Sequence, residues 1–230
     1  MQQLYVNCTT GVVYATGDRL FIITSMFETP DPKSVDPRIR RTRLLLQDAL
    51  TRLLKRRSFD EISIQDLTEE ATLNRATFYA HYPDKYVLLE CTTAARFQEL
   101  LDERGVSFDG SCVSVWRIFL LGICDYLATT LKTQCEQQRA MDPYMESAIT
   151  SVVQRMILDG LERHSWEGTV SRQLVAATAS WALYGAAREW VRTLNGGSSE
   201  MIVDGVTRML VGLFGAVYTG SASPASQTAW

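Results

Sequence analysis

Histidine is scarce in this chain: His81 and His164 are the two in 230 residues. That leaves few imidazoles for a zinc site and no H-E-x-x-H helix of a metalloprotease. The five cysteines (Cys8, Cys91, Cys112, Cys124 and Cys135) contain no C-x-x-C pair and are odd in number. They fit a reduced, cytoplasmic compartment better than a disulfide framework. No apolar run approaches the ~18 residues that a membrane span requires. G-x-S-x-G and a phosphate-cradling glycine loop are also missing. No catalytic residue, metal or cofactor is therefore expected. Excess positive charge is lacking too: the net charge is −3, which rules out global attraction to nucleic acid.

What charge there is has an uneven distribution. Residues 38–85 hold ten Lys and Arg against seven Asp and Glu, a local +3. Residues 86–230 come to −4 and residues 1–37 to −2. A basic segment inside an acidic chain is the footprint of a nucleic-acid reader. With 46% hydrophobic residues, the chain can bury a sizeable core and fits one small and one medium domain.

The basic segment contains SIQDLTEEATLNRATFYAHYPDK, Ser63–Lys85. Ser63 followed by Asp66 reads as a capping-box start. Ile64, Leu67 and Ala71 then share one face of a short helix over 64–71. Thr72-Leu73-Asn74 makes a turn, and Asn74 caps a second helix over 75–82. Phe78 and Tyr82, four apart, are its buried positions, which leaves Arg75, Thr77, Tyr79 and His81 facing outward. Pro83 stops it, and Asp84 caps a helix that opens with Lys85. Two short helices, the second with a polar, aromatic and basic outer face, describe a helix-turn-helix whose second helix enters the major groove. A plain helical hairpin satisfies the same spacing.

Resemblance narrows the choice. The string A-T-L-N-R-A-T-F-Y-A-H-Y-P-D-K resembles the DNA-binding signature of the tetracycline-repressor (TetR) family of bacterial regulators, over roughly 38–89. It implies an all-α fold: an N-terminal three-helix helix-turn-helix domain and a larger C-terminal helical domain for ligand binding and dimerisation. It also implies a regulator, usually a repressor, that binds a palindromic operator as a homodimer and is released by a small hydrophobic effector. By the resemblance Thr77, Tyr79, His81 and Lys85 fall where phosphates are contacted, and Arg75 and Ala76 at the base-reading end. Ser63 and the arginines Arg38 and Arg41 join the same DNA face. Members usually carry Gly where this chain has Thr72, so the turn is either strained or differently shaped.

The remaining helices follow from periodicity. Asp36-Pro37 opens a helix to about residue 57, with Ile39, Leu46, Leu50 and Leu53 as its buried face. Arg38, Arg40, Arg41 and Arg43 in its first turns oppose the helix dipole, a conflict that phosphate contact would explain. Further helices are predicted over 86–103, 113–131, 141–164, 170–194 and 200–218. The 113–131 helix is apolar nearly all round and belongs in the middle of a domain. Its Asp125 is read as outward-facing or paired, or else as a polar anchor for a ligand.

Four regions result: an extension over 1–35 that is either disordered or upstream of the true start, the helix-turn-helix domain over 36–84, a regulatory and dimerisation domain over 85–219, and a disordered tail over 220–230. Within the extension, 11–15 and 20–24 are β-prone and flank Thr-Gly-Asp-Arg, the pattern of a hairpin. Residues 1–25 read as an upstream extension of the frame, and a chain starting at Met26 is expected to fold without them. Trp116, Phe119, Tyr126, Tyr144, Met145, Met156, Trp181 and Tyr184 are the side chains suited to an apolar ligand cavity. Each is equally suited to plain core. The small residues Ala186, Ala187, Gly205, Gly212 and Gly215 would allow close helix approach between subunits. An all-α enzyme and an effector-independent DNA-binding dimer remain open as rivals.

Overall fold

The computed structural model describes residues 13–16, 19–22, 36–106, 114–132, 141–163, 170–194 and 199–218. The elements run β1 (Val13–Thr16), β2 (Arg19–Ile22), α1 (Pro37–Leu54), α2 (Ile64–Glu70), α3 (Arg75–His81), α4 (Lys85–Glu103), α5 (Ser114–Lys132), α6 (Asp142–Glu162), α7 (Arg172–Leu194) and α8 (Ser199–Tyr218). Among the described residues the fold is all-α apart from one two-stranded antiparallel hairpin, in which Val13 faces Ile22 and Thr16 faces Arg19. The strands sit within one to two residues of the β-prone runs. The rest of the 1–35 extension, and the 220–230 tail, lie outside the described residues.

The chain divides into two compact units, 1–91 and 92–230. The division falls seven residues later than the expected 84/85 boundary. The first two turns of α4 contribute Val87, Leu88 and Leu89 as buried residues, and Lys85 and Tyr86 are tied to the loop before α2.

In the first unit α1 packs on α2 and α3, and α2 on α3. Asp36 caps α1 by accepting the Arg38 N–H at 2.9 Å, with Pro37 at the first helical position. Leu46, Ala49, Leu50 and Leu53 form its buried stripe, closed by Phe59, Ile62, Leu67, Phe78 and Tyr82. Ile39 departs from expectation at 38% exposed. Residues 36–41 are all exposed, so the first turn of α1 is left uncovered and burial begins only at the half-buried Thr42 and Arg43.

The second unit is built differently. α5 packs on both α7 and α8, α6 packs on α7, and α7 on α8. Phe119, Leu120, Ile123 and Cys124 of α5 are fully buried, as the all-round apolar pattern predicts. Asp125 pairs with Arg104 at 2.5 Å, half exposed, which is the paired reading of that carboxylate. Arg117–Asp204 and Arg188–Glu146 are ion pairs between helices. Gly122 is needed for a close approach: a Cβ there would lie 2.9 Å from Leu101 Cδ2. No helix among the described residues is long and apolar enough to cross a membrane.

Candidate nucleic-acid interface

α2 and α3 are seven residues each. Helices this short do not persist alone, so their ends are fixed by side chains. At the start of α2, Ser63 Oγ accepts the Asp66 N–H at 3.1 Å and the Asp66 carboxylate accepts the Ser63 N–H at 2.9 Å, a complete capping box. The Ser63 hydroxyl donates to the same carboxylate at 2.5 Å, and Arg57 donates to its other oxygen at 2.9 Å. These bonds, Ser63's first, hold the Asp66 carboxyl below its ordinary 3.8. Arg52 and Arg56 both reach Glu70 at the far end of α2.

The turn between the helices places Thr72 at φ 54°, so of the two shapes left open the strained one is found. Its geometry is that of a helix end: the Leu73 N–H reaches back to the Thr68 carbonyl at 2.8 Å. Asn74 then caps α3 by accepting both the Thr77 N–H (2.7 Å) and the Thr77 hydroxyl (2.9 Å). Phe78 and Tyr82 are buried behind α3, and the Tyr82 hydroxyl accepts from Gln47 at 3.3 Å. Burial pushes that phenol far above its ordinary value.

The sequence-predicted interface residues fall into two groups by whether their donor hydrogens are free. Arg38, Arg41, Arg75 and Ala76 are exposed, and Tyr79 is 45% exposed with its ring edge-on to Phe78. Ser63 and Thr77 are different: their hydroxyl hydrogens are spent inside the capping bonds just given. His81 is half-buried rather than fully outward. Burial and then the Arg43 guanidinium lower its pKa from 6.5, so it is a neutral imidazole at pH 7.

Lys85 departs furthest from its expected place. Its Nζ donates to the carbonyls of Phe59 (3.0 Å), Asp60 (3.2 Å) and Ile62 (2.8 Å). It also lies 4.8 Å from the Phe59 ring centroid and 5.7 Å from that of Tyr86. An ammonium has three N–H donors, so none is left for a phosphate. The carbonyl cage lies 23–26 residues away in sequence, beyond any spacing rule. Sequence reasoning also missed the roles of Arg43 and Gln47, one facing His81 and the other bonding Tyr82. The i, i+4 spacing of the two on α1 was the available signal.

In the second unit the eight candidate cavity residues separate. Trp116, Phe119, Met145 and Tyr184 are buried, and Tyr126, Tyr144 and Met156 are partly covered. Tyr126 stands edge-on to Phe97, 5.6 Å between centroids. Burial pushes the Tyr184 phenol up to about 12. Trp181 does not join them. The buried positions of α7 are Val175, Ala176, Ala179, Ser180, Leu183, Tyr184, Ala187 and Trp190, and Trp181 lies on the opposite face at 54% exposed. Leu174 on α7 and Met209 on α8 are also exposed, at 58% and 68%. Both described cysteines, Cys91 and Cys124, have thiols pushed up to about 12 by burial. No cluster of potential metal ligands occurs among the described residues.

Residues 46–91 match the family of bacterial regulatory proteins, tetR family. An uncharacterized HTH-type transcriptional regulator of Bacillus subtilis (strain 168), YxbF, is 37% identical over 76 residues. That alignment covers 33% of this chain and 20% of the relative, so the chain matches about a fifth of the relative's length. Among solved structures, Lin0861 from Listeria innocua superposes with a TM-score of 0.53 at 22% identity, over 78% of this chain and 94% of that one. A TetR transcriptional regulator from Streptococcus agalactiae 2603V gives a TM-score of 0.45 at 20% identity, over 75% and 95%. The match over residues 46–91 takes in the whole helix-turn-helix, α2, the turn and α3.

Proposed function

We propose that this chain, through its tetR-family helix-turn-helix, is a DNA-binding transcriptional regulator of the cytoplasm, acting as a homodimeric repressor on a two-fold symmetric operator. The observation that carries the reading is α3 itself. Its apolar side is locked down by Phe78 and Tyr82, while Arg75, Ala76 and Tyr79 stand exposed on the other side. Arg75 is the base reader: a guanidinium matches the O6 and N7 acceptors of guanine in the major groove. Tyr79 and neutral His81 donate single hydrogen bonds to phosphates, and Thr77 closes that edge of the helix. Arg38 and Arg41, exposed at the start of α1, add charge that reaches the backbone.

Dimerisation is supported by the outer face of α7 and α8. Leu174, Trp181 and Met209 expose large apolar groups, and a Cβ added at Gly185, Gly205 or Gly212 would meet nothing within 4 Å. Two copies also suit the chemistry, since one seven-residue helix reads too few base pairs for useful affinity. A small apolar effector is supported by the aromatic interior of the second unit. α4 is one unbroken helix shared by both units, the covalent path by which an effector can weaken DNA binding. Coupling of about 1–3 kcal/mol changes affinity roughly 5–150-fold.

The test is selection of random duplex DNA by the purified chain, followed by sequencing. Enrichment of a symmetric site with half-sites about one turn apart is expected. Enrichment of no sequence, with catalytic turnover of any small molecule, would replace this reading with an all-α enzyme.

A further inference from the structure

We propose that Lys85 is a positioning residue of the DNA-reading element, clasping its entry to its exit, and not a contact to the DNA backbone. The inference rests on the DNA-binding reading above.

Lys85 is the first residue of α4, where a cation opposes the helix dipole. Asp84 offsets part of that conflict by capping α4, its carboxylate accepting the Tyr86 and Val87 N–H groups at 2.8 Å. The rest is offset from outside the helix. The carbonyls of Phe59, Asp60 and Ile62 converge on the ammonium, within 3.2 Å, and the rings of Phe59 and Tyr86 flank it. The loop is shaped for this: the Glu61 and Ile62 N–H groups turn back onto the carbonyls of Ser58 and Phe59. Three carbonyl oxygens meet a tetrahedral ammonium with one hydrogen each.

The position of the clasp gives it a function. Ile62 immediately precedes the Ser63 cap of α2, and Lys85 stands four residues past His81, the end of α3. The bond therefore closes a ring around α2, the turn and α3. The exposed face of α3 is presented at one angle because both ends of the element that carries it are pinned together. Opening the ring lets α3 re-aim while its own caps stay intact.

Lysine and arginine separate the two roles. A phosphate contact accepts arginine readily, whereas a planar guanidinium cannot point one hydrogen at each of three converging carbonyls. Lys85→Arg and Lys85→Met are titrated with one selected DNA duplex from 50 to 200 mM KCl, at a temperature well below the melting of each variant. Both are expected to bind at least tenfold more weakly at every salt concentration, with an unchanged slope of log K against log salt. A lost phosphate contact instead flattens the slope by about 0.9 per protomer, about 1.8 for the dimer, in Lys85→Met and leaves Lys85→Arg close to wild type. That outcome overturns the proposal. So does full affinity in both variants with only a lowered melting temperature, which would make the clasp a matter of stability alone.

A second measurement uses the unaltered chain. With 15N-lysine, the Lys85 ammonium should be protected from solvent exchange before DNA is added and unchanged after it. Protection that arises only with DNA overturns the proposal. Failure of the unaltered chain to bind any duplex would instead sink the DNA-binding reading on which it rests.

Discussion

The first unit holds helices of seven residues in place with caps, ion pairs and a lysine clasp, whereas the second holds helices of 19 to 23 residues by apolar stripes. The difference follows from length. A two-turn helix satisfies almost none of its terminal backbone groups internally, so polar side chains must finish it. A six-turn helix has its ends far from its middle and needs only one buried face. Polar substitutions should therefore be felt most in the first unit, and apolar ones in both.

The strongest way to break that contrast is to open each core in turn. Phe78→Ala should cost about 3–5 kcal/mol and abolish DNA binding, and Leu183→Ala should cost about 2–5 kcal/mol in the second unit. Calorimetry of both variants checks whether two transitions exist and whether each substitution moves its own. Equal displacement of a single transition would mean that the chain melts as one body.

Next in size is the outer face of α7. Trp181→Glu should dissociate the proposed dimer, with a loss of about 2 kcal/mol or more as for a central aromatic anchor. Because Trp181 is more than half exposed, the melting of the second unit at low concentration should not change. Sedimentation velocity distinguishes this from unfolding.

A smaller effect sharpens the argument about caps. Ser63 caps a seven-residue helix, and Ser171 accepts the Leu174 N–H at 3.2 Å at the start of the 23-residue α7. Ser63→Ala should lose about 1 kcal/mol. Ser171→Ala should lose clearly less, since fraying one turn of α7 leaves its buried stripe in place. Equal losses in chemical denaturation would show that helix length is irrelevant to the need for a cap.

Acidification tests the same unit. The His81 pKa is lowered from 6.5, so the unfolded chain takes up the proton first. Stability is complete above 6.5 and declines as pH falls towards the folded value. Asp66 is lowered from 3.8 and contributes fully above 3.8, losing its share only as pH falls through its folded pKa. A His81→Gln variant should therefore show a flatter melting temperature between pH 7 and 5 than the unaltered chain.

The smallest expected change is a gain. Thr72 sits at φ 54°, where a β-branched residue is strained. Thr72→Gly should stabilise the first unit by about 0.5 kcal/mol, the relief of strain being partly offset by the greater freedom of glycine when unfolded. Thermal melts of the two chains side by side measure it.

Much of the first unit was legible in the sequence, because caps and stops are local. Ser63 with Asp66, Asn74 with Thr77, and Pro83 with Asp84 each act within three residues. The tetR-family resemblance rested on that same stretch. What the sequence did not disclose depends on distance. The Lys85 cage joins positions more than twenty residues apart, and the periodicity that places Ile39 on the apolar face does not tell that the first turn of α1 is uncovered. In the second unit periodicity placed the helices, yet it could not tell which aromatic residues face inward. Trp181 and Tyr184 are three apart on α7, and one is exposed while the other is buried.

The shortness of α2 and α3 also sets how this unit breathes. An isolated helix needs about 12–15 residues to be even marginally populated in water, and these have seven each. Neither can open and re-form on its own while its neighbour stays folded. Their amide protons should therefore exchange with solvent only when the whole three-helix unit opens, at one common rate. The central amides of α5 and α7, in contrast, should persist after their end turns have exchanged. The reading surface is thus an all-or-none object: it is present whole or absent whole, and its lifetime is that of the small core beneath it.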